Sequence, residues 1–256
     1  MTSVPDISIQ GHRLHYEEIA ATRAGAPDLV FLHEGLGSVA LWRDFPAKLA
    51  ARTGCRAVIY SRYGYGKSDP ISAPRAVDYM HAEALQALPD LREKLGLDNP
   101  ILIGHSDGAS IALIHAGAGR WPVRALVLEA PHVFVEEVTV ASIAEVKTVY
   151  ASTDLRQRLA RYHDDPDNAF RGWNDIWLDP AFRAWNIEDV LPDVRCPLLA
   201  IQGADDEYGS LAQLDAIERG VGGAFERLVL PNCKHSPHRD QEAAVLDAMA
   251  AFIERV

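Results

Sequence analysis

Pro100-Ile101-Leu102-Ile103-Gly104-His105-Ser106-Asp107-Gly108-Ala109-Ser110-Ile111-Ala112-Leu113 is the stretch on which the chain turns. An apolar run of strand length meets Gly-x-Ser-x-Gly and passes without a spacer into a helical pattern. Ser106 is therefore expected on a sharp strand-to-helix turn that pushes its hydroxyl out at the sheet's carboxyl edge. Side chains at Gly104 or Gly108 are expected to strike neighbouring backbone, and such a turn needs dihedrals that most residues tolerate poorly. The start of a helix also places the Asp107 N–H where it could stabilise negative charge on a bound carbonyl oxygen.

Strand and helix patterns alternate on both sides of this turn. Ile7 to Gly11 and Arg13 to Ile19 read as an edge hairpin. Asp28 to His33 is an apolar strand running into His33-Glu34-Gly35-Leu36-Gly37-Ser38, and Val39 to Arg52 has helical periodicity. Arg56 to Tyr60 is the next strand. The loop after it contains Gly66-Lys67-Ser68 but lacks the earlier glycine of a phosphate loop, so nucleotide binding is not indicated. Ala76 to Leu97 predicts one long amphipathic helix, kinked or interrupted near Pro89. Strands are expected at Val123 to Leu128, Pro197 to Gly203 and Phe225 to Leu230, with helices at Leu211 to Glu218 and Gln241 to Arg255.

The pattern predicts an α/β fold, a mostly parallel, doubly wound sheet covered by helices on both faces. Residues 1–132 and 193–256 are assigned to this core. Residues 133–192 abandon the alternation for helices alone, with Phe170, Trp173, Trp177, Phe182 and Trp185 in close succession, and are assigned to a small helical cap.

Bulk properties narrow the partners. A chain of 256 residues, 48% hydrophobic, suits one core with an insertion rather than two equal domains. The formal charge of −11 repels phosphate backbones and anionic lipid, so a small molecule is the expected partner, with no nucleic acid and no membrane. Cys55, Cys196 and Cys233 show no paired spacing, and neither a disulfide framework nor a metal site is indicated. No stretch is apolar enough to span a bilayer, and Met1 to Asp6 lack the basic-then-apolar pattern of a leader. The expectation is a soluble protein in the reducing cytoplasm. Oligomeric state, monomer or homodimer, has no signature in the sequence.

A serine at neutral pH needs a base in reach and an acid to orient that base. Ala204-Asp205-Asp206-Glu207 follows the strand ending at Gly203, and Pro231-Asn232-Cys233-Lys234-His235-Ser236-Pro237-His238 follows the strand ending at Leu230. Serine, acid and histidine thus leave the carboxyl ends of three strands on one rim, where open parallel sheets bind ligands. An acidic turn or surface histidines, or half of a metal site at His235 and His238, are the plainer readings, and Glu129 is an alternative acid.

In these residues the chain resembles the α/β-hydrolase fold superfamily, from about Asp28 onward. It is similar to capped bacterial members that include esterases, meta-cleavage-product C–C hydrolases, proline iminopeptidases and cofactor-free haloperoxidases. The resemblance implies Ser106 as nucleophile, Asp206 rather than Asp205 as acid, and His235 rather than His238 as base. It implies an oxyanion hole from the Asp107 N–H and a second donor after His33. There Glu34 departs from the usual glycine, leaving Gly35 or Leu36 for that role. His33 is expected to hold this loop through its ring nitrogens. Glu34, Leu36, Trp42, Trp173 and Trp177 are expected around the substrate. Glu34 could bind an amine, order a water or form a salt bridge, and the cap aromatics could simply be the cap's own core. The implied activity is cofactor-free, metal-free hydrolysis of a carboxylic ester or lactone. C–C or amide cleavage or perhydrolysis by the same residues is the alternative, and a non-catalytic binding protein is a remote one.

Overall fold

The computed structural model describes residues 6–256, so the stretch from Met1 to Pro5 considered as a leader lies outside the described residues. The apolar runs become strands: β1 (Asp6–Ile9), β2 (His12–Ile19), β3 (Asp28–Leu32), β4 (Arg56–Tyr60), β5 (Ile101–His105), β6 (Ala125–Glu129), β7 (Leu198–Gly203) and β8 (Phe225–Leu230). They form one sheet in the order β1-β2-β4-β3-β5-β6-β7-β8. β1 and β2 pair antiparallel, as do β2 and β4, and every later pairing is parallel. Every residue of β5, β6 and β7 is buried, which is why these strands read as continuous apolar runs rather than alternating ones. The period of two survives inside the molecule: Leu102 packs into the core on one face, Ile101 and Ile103 into the core on the other.

The helices follow less directly. Val39 to Arg52 is split into a 3₁₀ turn, Val39–Trp42, and α1 (Phe45–Thr53), separated at Arg43, whose φ is 53°. The helix expected from Ala76 to Leu97 consists of α2 (Tyr79–Ala82), a π-helical turn Glu83–Ala87 and α3 (Leu88–Leu95). Pro89 has no N–H and its ring would meet the carbonyl four residues back, so the helix is interrupted just before it by a wider turn, the second of the two outcomes expected there. α4 (Asp107–Gly117) packs on β3 and β5. Between β6 and β7 the chain forms α5 (Glu137–Ser152), α6 (Leu155–Leu159), α7 (Pro166–Trp177) and two 3₁₀ turns, with one bridge, Phe134 to Asn186. Phe170, Trp173, Trp177, Phe182 and Trp185 are all buried there, Phe182 stacking on Trp185 at 5.4 Å. α8 (Ala212–Gly220), the short α9 (Pro237–Asp240) and α10 (Glu242–Arg255) complete the chain; α9 has no counterpart in the sequence reading. Among the described residues no helix is long and apolar enough to cross a membrane.

The glycines of the elbow are required by close approach. A Cβ on Gly108 would lie 2.0 Å from the Leu32 carbonyl oxygen, and one on Gly104 would lie 2.4 Å from the Gly108 oxygen. Gly108→Ala should therefore cost about 3 kcal/mol or more in urea unfolding, because backbone must move to accept the methyl. Gly25→Ala, at φ 71° with open space around it, should cost only about 1 kcal/mol. Equal losses would show that the elbow is not closely packed.

Buried histidines make a second prediction. Burial pushes His33 and His163 down, and carries His115 to about 4 and His132 to about 3, from an ordinary 6.5. The unfolded chain protonates these rings below about pH 6.5 whereas the folded chain keeps them neutral, so stability rises with pH through that window. Tm should fall progressively as pH drops from about 6.5 towards 4, and the slope should flatten in His115→Gln. An unchanged slope in that variant would put the acid sensitivity on other groups.

Candidate active site

Ser106 sits between β5 and α4 at φ 54° and ψ −116°, a conformation that non-glycine residues rarely adopt. Its own N–H donates to Glu129 O at 2.9 Å, and its carbonyl accepts from Ala109 N and Ser110 N as the helix begins. The turn is thus held from both sides, and the side chain faces a cavity of about 120 Å³ that is also lined by Glu34, Gly35, Leu36, His132, Trp173, Trp177, Tyr208 and His235. Among the described residues Ser106 Oγ makes no hydrogen bond within the protein.

His235 leaves β8 and Asp206 leaves β7, and the two meet at 2.8 Å between Nδ1 and Oδ1. Asp206 also accepts from the Tyr208 N–H at 2.9 Å and from Gln202 Nε2 at 3.2 Å. Burial alone would raise its carboxyl; the His235 imidazole and the hydrogen bonds outweigh that and hold it below its ordinary value. An ionised Asp206 makes His235 Nδ1 the protonated nitrogen, which leaves Nε2 as a free acceptor on the ring lining the cavity. Asp205 is exposed. Glu129, the alternative acid, is committed elsewhere: it accepts from both N and Nδ1 of His238 at 2.9 Å in a buried pair. The two histidines of the loop are therefore sorted to two acids, and only His235 reaches the cavity. No cluster of three or more His, Cys, Asp or Glu side chains that could hold a metal occurs among the described residues.

The loop after β3 supplies the opposite wall. His33 is buried with Nδ1 donating to Glu34 O at 2.7 Å and Nε2 accepting from Arg62 N at 3.0 Å, so both ring nitrogens hold the loop. The Gly35 and Asp107 N–H groups donate to no protein atom among the described residues. Gly35 must lack a side chain because Trp173 Cδ1 would lie 2.1 Å from its Cβ. Leu36 also lines the cavity, its carbonyl accepting from His163 Nε2 at 3.0 Å.

Glu34 Oε2 lies 3.5 Å from His105 Nδ1. Burial would raise the Glu34 carboxyl, but His105 carries it well below its ordinary value; burial would lower His105, but Glu34 raises it. A buried carboxylate–histidine contact therefore backs the cavity. His105 Nε2, the other ring nitrogen, donates to the His235 carbonyl at 2.7 Å.

Trp42 does not belong to the cavity, against the expectation from sequence. Its ring is 2% exposed and packs 5.3 Å from Phe31 and 4.8 Å from His238 in the core between sheet and helices. The 3₁₀ turn that carries it ends at Arg43, and the ring packs beneath the rim. Trp173, Trp177, Leu36 and Glu34 do reach the cavity. Sequence reasoning missed Thr139, Ile143, Tyr208 and His132, which also line it. Thr139 and Ile143 lie one helical turn apart on α5, a usable signal had that helix been placed. Tyr208, two residues after Asp206, could have been taken with it.

The sequence profile of the alpha/beta hydrolase family matches residues 29–248. The proline iminopeptidase of Saccharolobus solfataricus is 23% identical over 94% of this chain and 89% of its own length. Among solved structures, proline iminopeptidase from Mycobacterium smegmatis superposes with a TM-score of 0.79 at 16% identity, covering 99% of this chain and 98% of its own. The enol-lactonase from Burkholderia xenovorans gives 0.76 at 18% identity, with 98% and 100% covered. With the profile spanning both halves of the sheet and the turn that carries Ser106, the chain belongs to the alpha/beta hydrolase family.

Proposed function

We propose that the chain is a serine hydrolase that cleaves a small, largely apolar or aromatic carboxylic ester or lactone through an acyl-enzyme on Ser106. The observation that carries this reading is the His235–Asp206 pair at 2.8 Å, facing the same cavity as a serine on a strained strand-to-helix turn. In the scheme His235 Nε2 takes the Ser106 proton as Oγ attacks the carbonyl carbon, and the free N–H groups of Asp107 and Gly35 receive the oxyanion. The imidazolium then gives its proton to the leaving oxygen, and water repeats the sequence to release the acid. The missing Ser106–His235 hydrogen bond is consistent with this, since such contacts tighten when substrate binds.

Size and lining support the substrate class. A cavity of about 120 Å³ is below the usual range for ligand pockets, which favours a short acyl group. Leu36, Ile143, Trp173 and Trp177 offer apolar walls, and an ionised Glu34 opposes anionic or phosphorylated substrates. The same Glu34 favours a second reading with the same three residues, cleavage of an amide beside a free amine, as the name of the proline iminopeptidase relative suggests. The scheme uses no metal or cofactor.

A fluorophosphonate probe should label Ser106, and Ser106→Ala should abolish labelling and turnover of p-nitrophenyl acetate. Asp206→Asn should lower kcat by about 10³ to 10⁴ because the imidazole loses the carboxylate that orients it, while Glu129→Gln should retain far more activity. The reverse order would reassign the acid. Trp173→Ala should raise KM for bulky aryl or long acyl esters about tenfold more than for acetate. Equal changes accompanied by a lower Tm would make that ring a packing residue only.

A further inference from the structure

One cation lies buried beside the Gly35 and Asp107 peptides, whose N–H groups are free. Arg62 follows β4, and its side chain is 1% exposed. Its Nη2 donates to Glu34 O at 2.9 Å and to His33 O at 3.2 Å, and lies 3.6 Å from Asp107 Oδ2, on a side chain equally buried. The guanidinium rests over the Tyr65 ring, 4.9 Å from its centroid. The Asp107 carboxylate is completed by Tyr79 Oη at 2.7 Å and Trp177 Nε1 at 3.2 Å.

Stability does not account for this arrangement. Arg62 Nε and Nη1 have no hydrogen-bond acceptor, and an incompletely satisfied buried ion pair is commonly no more stable than apolar residues of the same size. What the arrangement does achieve is directional. Glu34 O accepts three hydrogen bonds, from Arg62 Nη2 at 2.9 Å, His33 Nδ1 at 2.7 Å and Gly37 N at 3.0 Å. That oxygen and the Gly35 N–H are opposite ends of one trans peptide, so three donors on the oxygen turn the N–H the other way and polarise it. The same guanidinium is paired with the side chain of Asp107, whose backbone N–H is the second free donor.

We propose that Arg62 is a positioning residue for the oxyanion hole: one buried guanidinium holds the Gly35 and Asp107 N–H groups in register and makes Gly35, rather than Leu36, the second donor. The inference rests on the serine-hydrolase reading. A lysine at 62 keeps a charge beside Asp107, but its side chain is one bond shorter, so its ammonium cannot take the position from which Nη2 meets both carbonyls, and the variant separates charge from geometry.

The test uses the full chain, p-nitrophenyl acetate and a small alkyl trifluoromethyl ketone, whose adduct with a serine places an oxyanion in the hole. Arg62→Lys should lower kcat about tenfold or more, less than deleting a donor outright, with KM within about twofold. It should weaken ketone binding by the same factor. In the wild-type chain, ketone addition should move the Gly35 and Asp107 amide proton resonances downfield and leave Leu36 in place. That measurement needs no variant, so it stands even if position 62 tolerates no replacement. If wild type takes the fluorophosphonate at Ser106 and binds the ketone, but Arg62→Lys changes only Tm, or Leu36 moves instead of Gly35, this inference alone is overturned. A wild type that does neither overturns the hydrolase reading and this inference with it.

Discussion

The contact between the Gly108 Cα and the Leu32 carbonyl is the constraint on which the rest depends. No other residue type fits there, since a Cβ would meet that oxygen at 2.0 Å and the His33 oxygen at 2.9 Å. α4 can lie this close to β3 only because Gly104 has made the same concession to α4 from β5. The approach brings two strand exits together: the end of β5, with Ser106, and the end of β3, with Glu34 and Gly35. Backbone dihedrals at Ser106 that would be costly in isolation are sustained because hydrogen bonds donated to Glu129 O and accepted from Ala109 N and Ser110 N hold both sides. The geometry of the candidate site is thus a packing consequence before it is a chemical one.

Charge is organised around that edge as histidine–carboxylate pairs. Asp206 with His235, Glu129 with His238 and Glu34 with His105 all lie at the carboxyl ends of neighbouring strands. They are linked: His105 donates to the carbonyl of His235 and lies 5.1 Å from the His238 ring. In a low-dielectric interior a lone carboxylate would protonate, so each acid retains its charge through its own imidazole or N–H partners. Only one of the three pairs presents a free ring nitrogen to the cavity, which is why sequence order alone could not distinguish Asp206 from Glu129 and the observed contacts can.

What was legible in the sequence follows from locality. Strand β4 matches its expected bounds because a strand buried on both faces has an apolar signature along its own length; β8 matches its expected bounds as a partly exposed edge strand. Ser106 directly follows β5, while Asp206 and His235 stand in the loops after β7 and β8, which is why all three could be proposed from the strand pattern. Misreadings occur where the deciding partner is distant. The interruption near Pro89 was expected, but its π form depends on which carbonyl the proline ring meets, and the helical period around Trp42 did not set the direction of the ring. Arg62 looked like a loop residue after a strand; its partners Glu34 and Asp107 are separated from it by 28 and 45 positions and carry no local pattern.

The tryptophans between β6 and β7 are not equivalent walls. Trp173 is in van der Waals contact with Gly35 and has no hydrogen bond across that contact, so it limits the cavity by shape alone. Trp177 donates to Asp107 Oδ1, and Asp107 is held in turn by Tyr79 and faces Arg62. Its ring is therefore part of the buried polar network under the elbow as well as part of the cavity lining. Thr139 Oγ1 donates to the Tyr208 carbonyl, which ties α5 to the loop that carries Asp206. Under the proposed mechanism, selectivity could change at Trp173 with little effect on the charged groups, whereas any change at Trp177 removes a donor from a buried carboxylate one residue from the nucleophile. Substrate range and the alignment of the proposed oxyanion donors are thus separable at one tryptophan and coupled at the other.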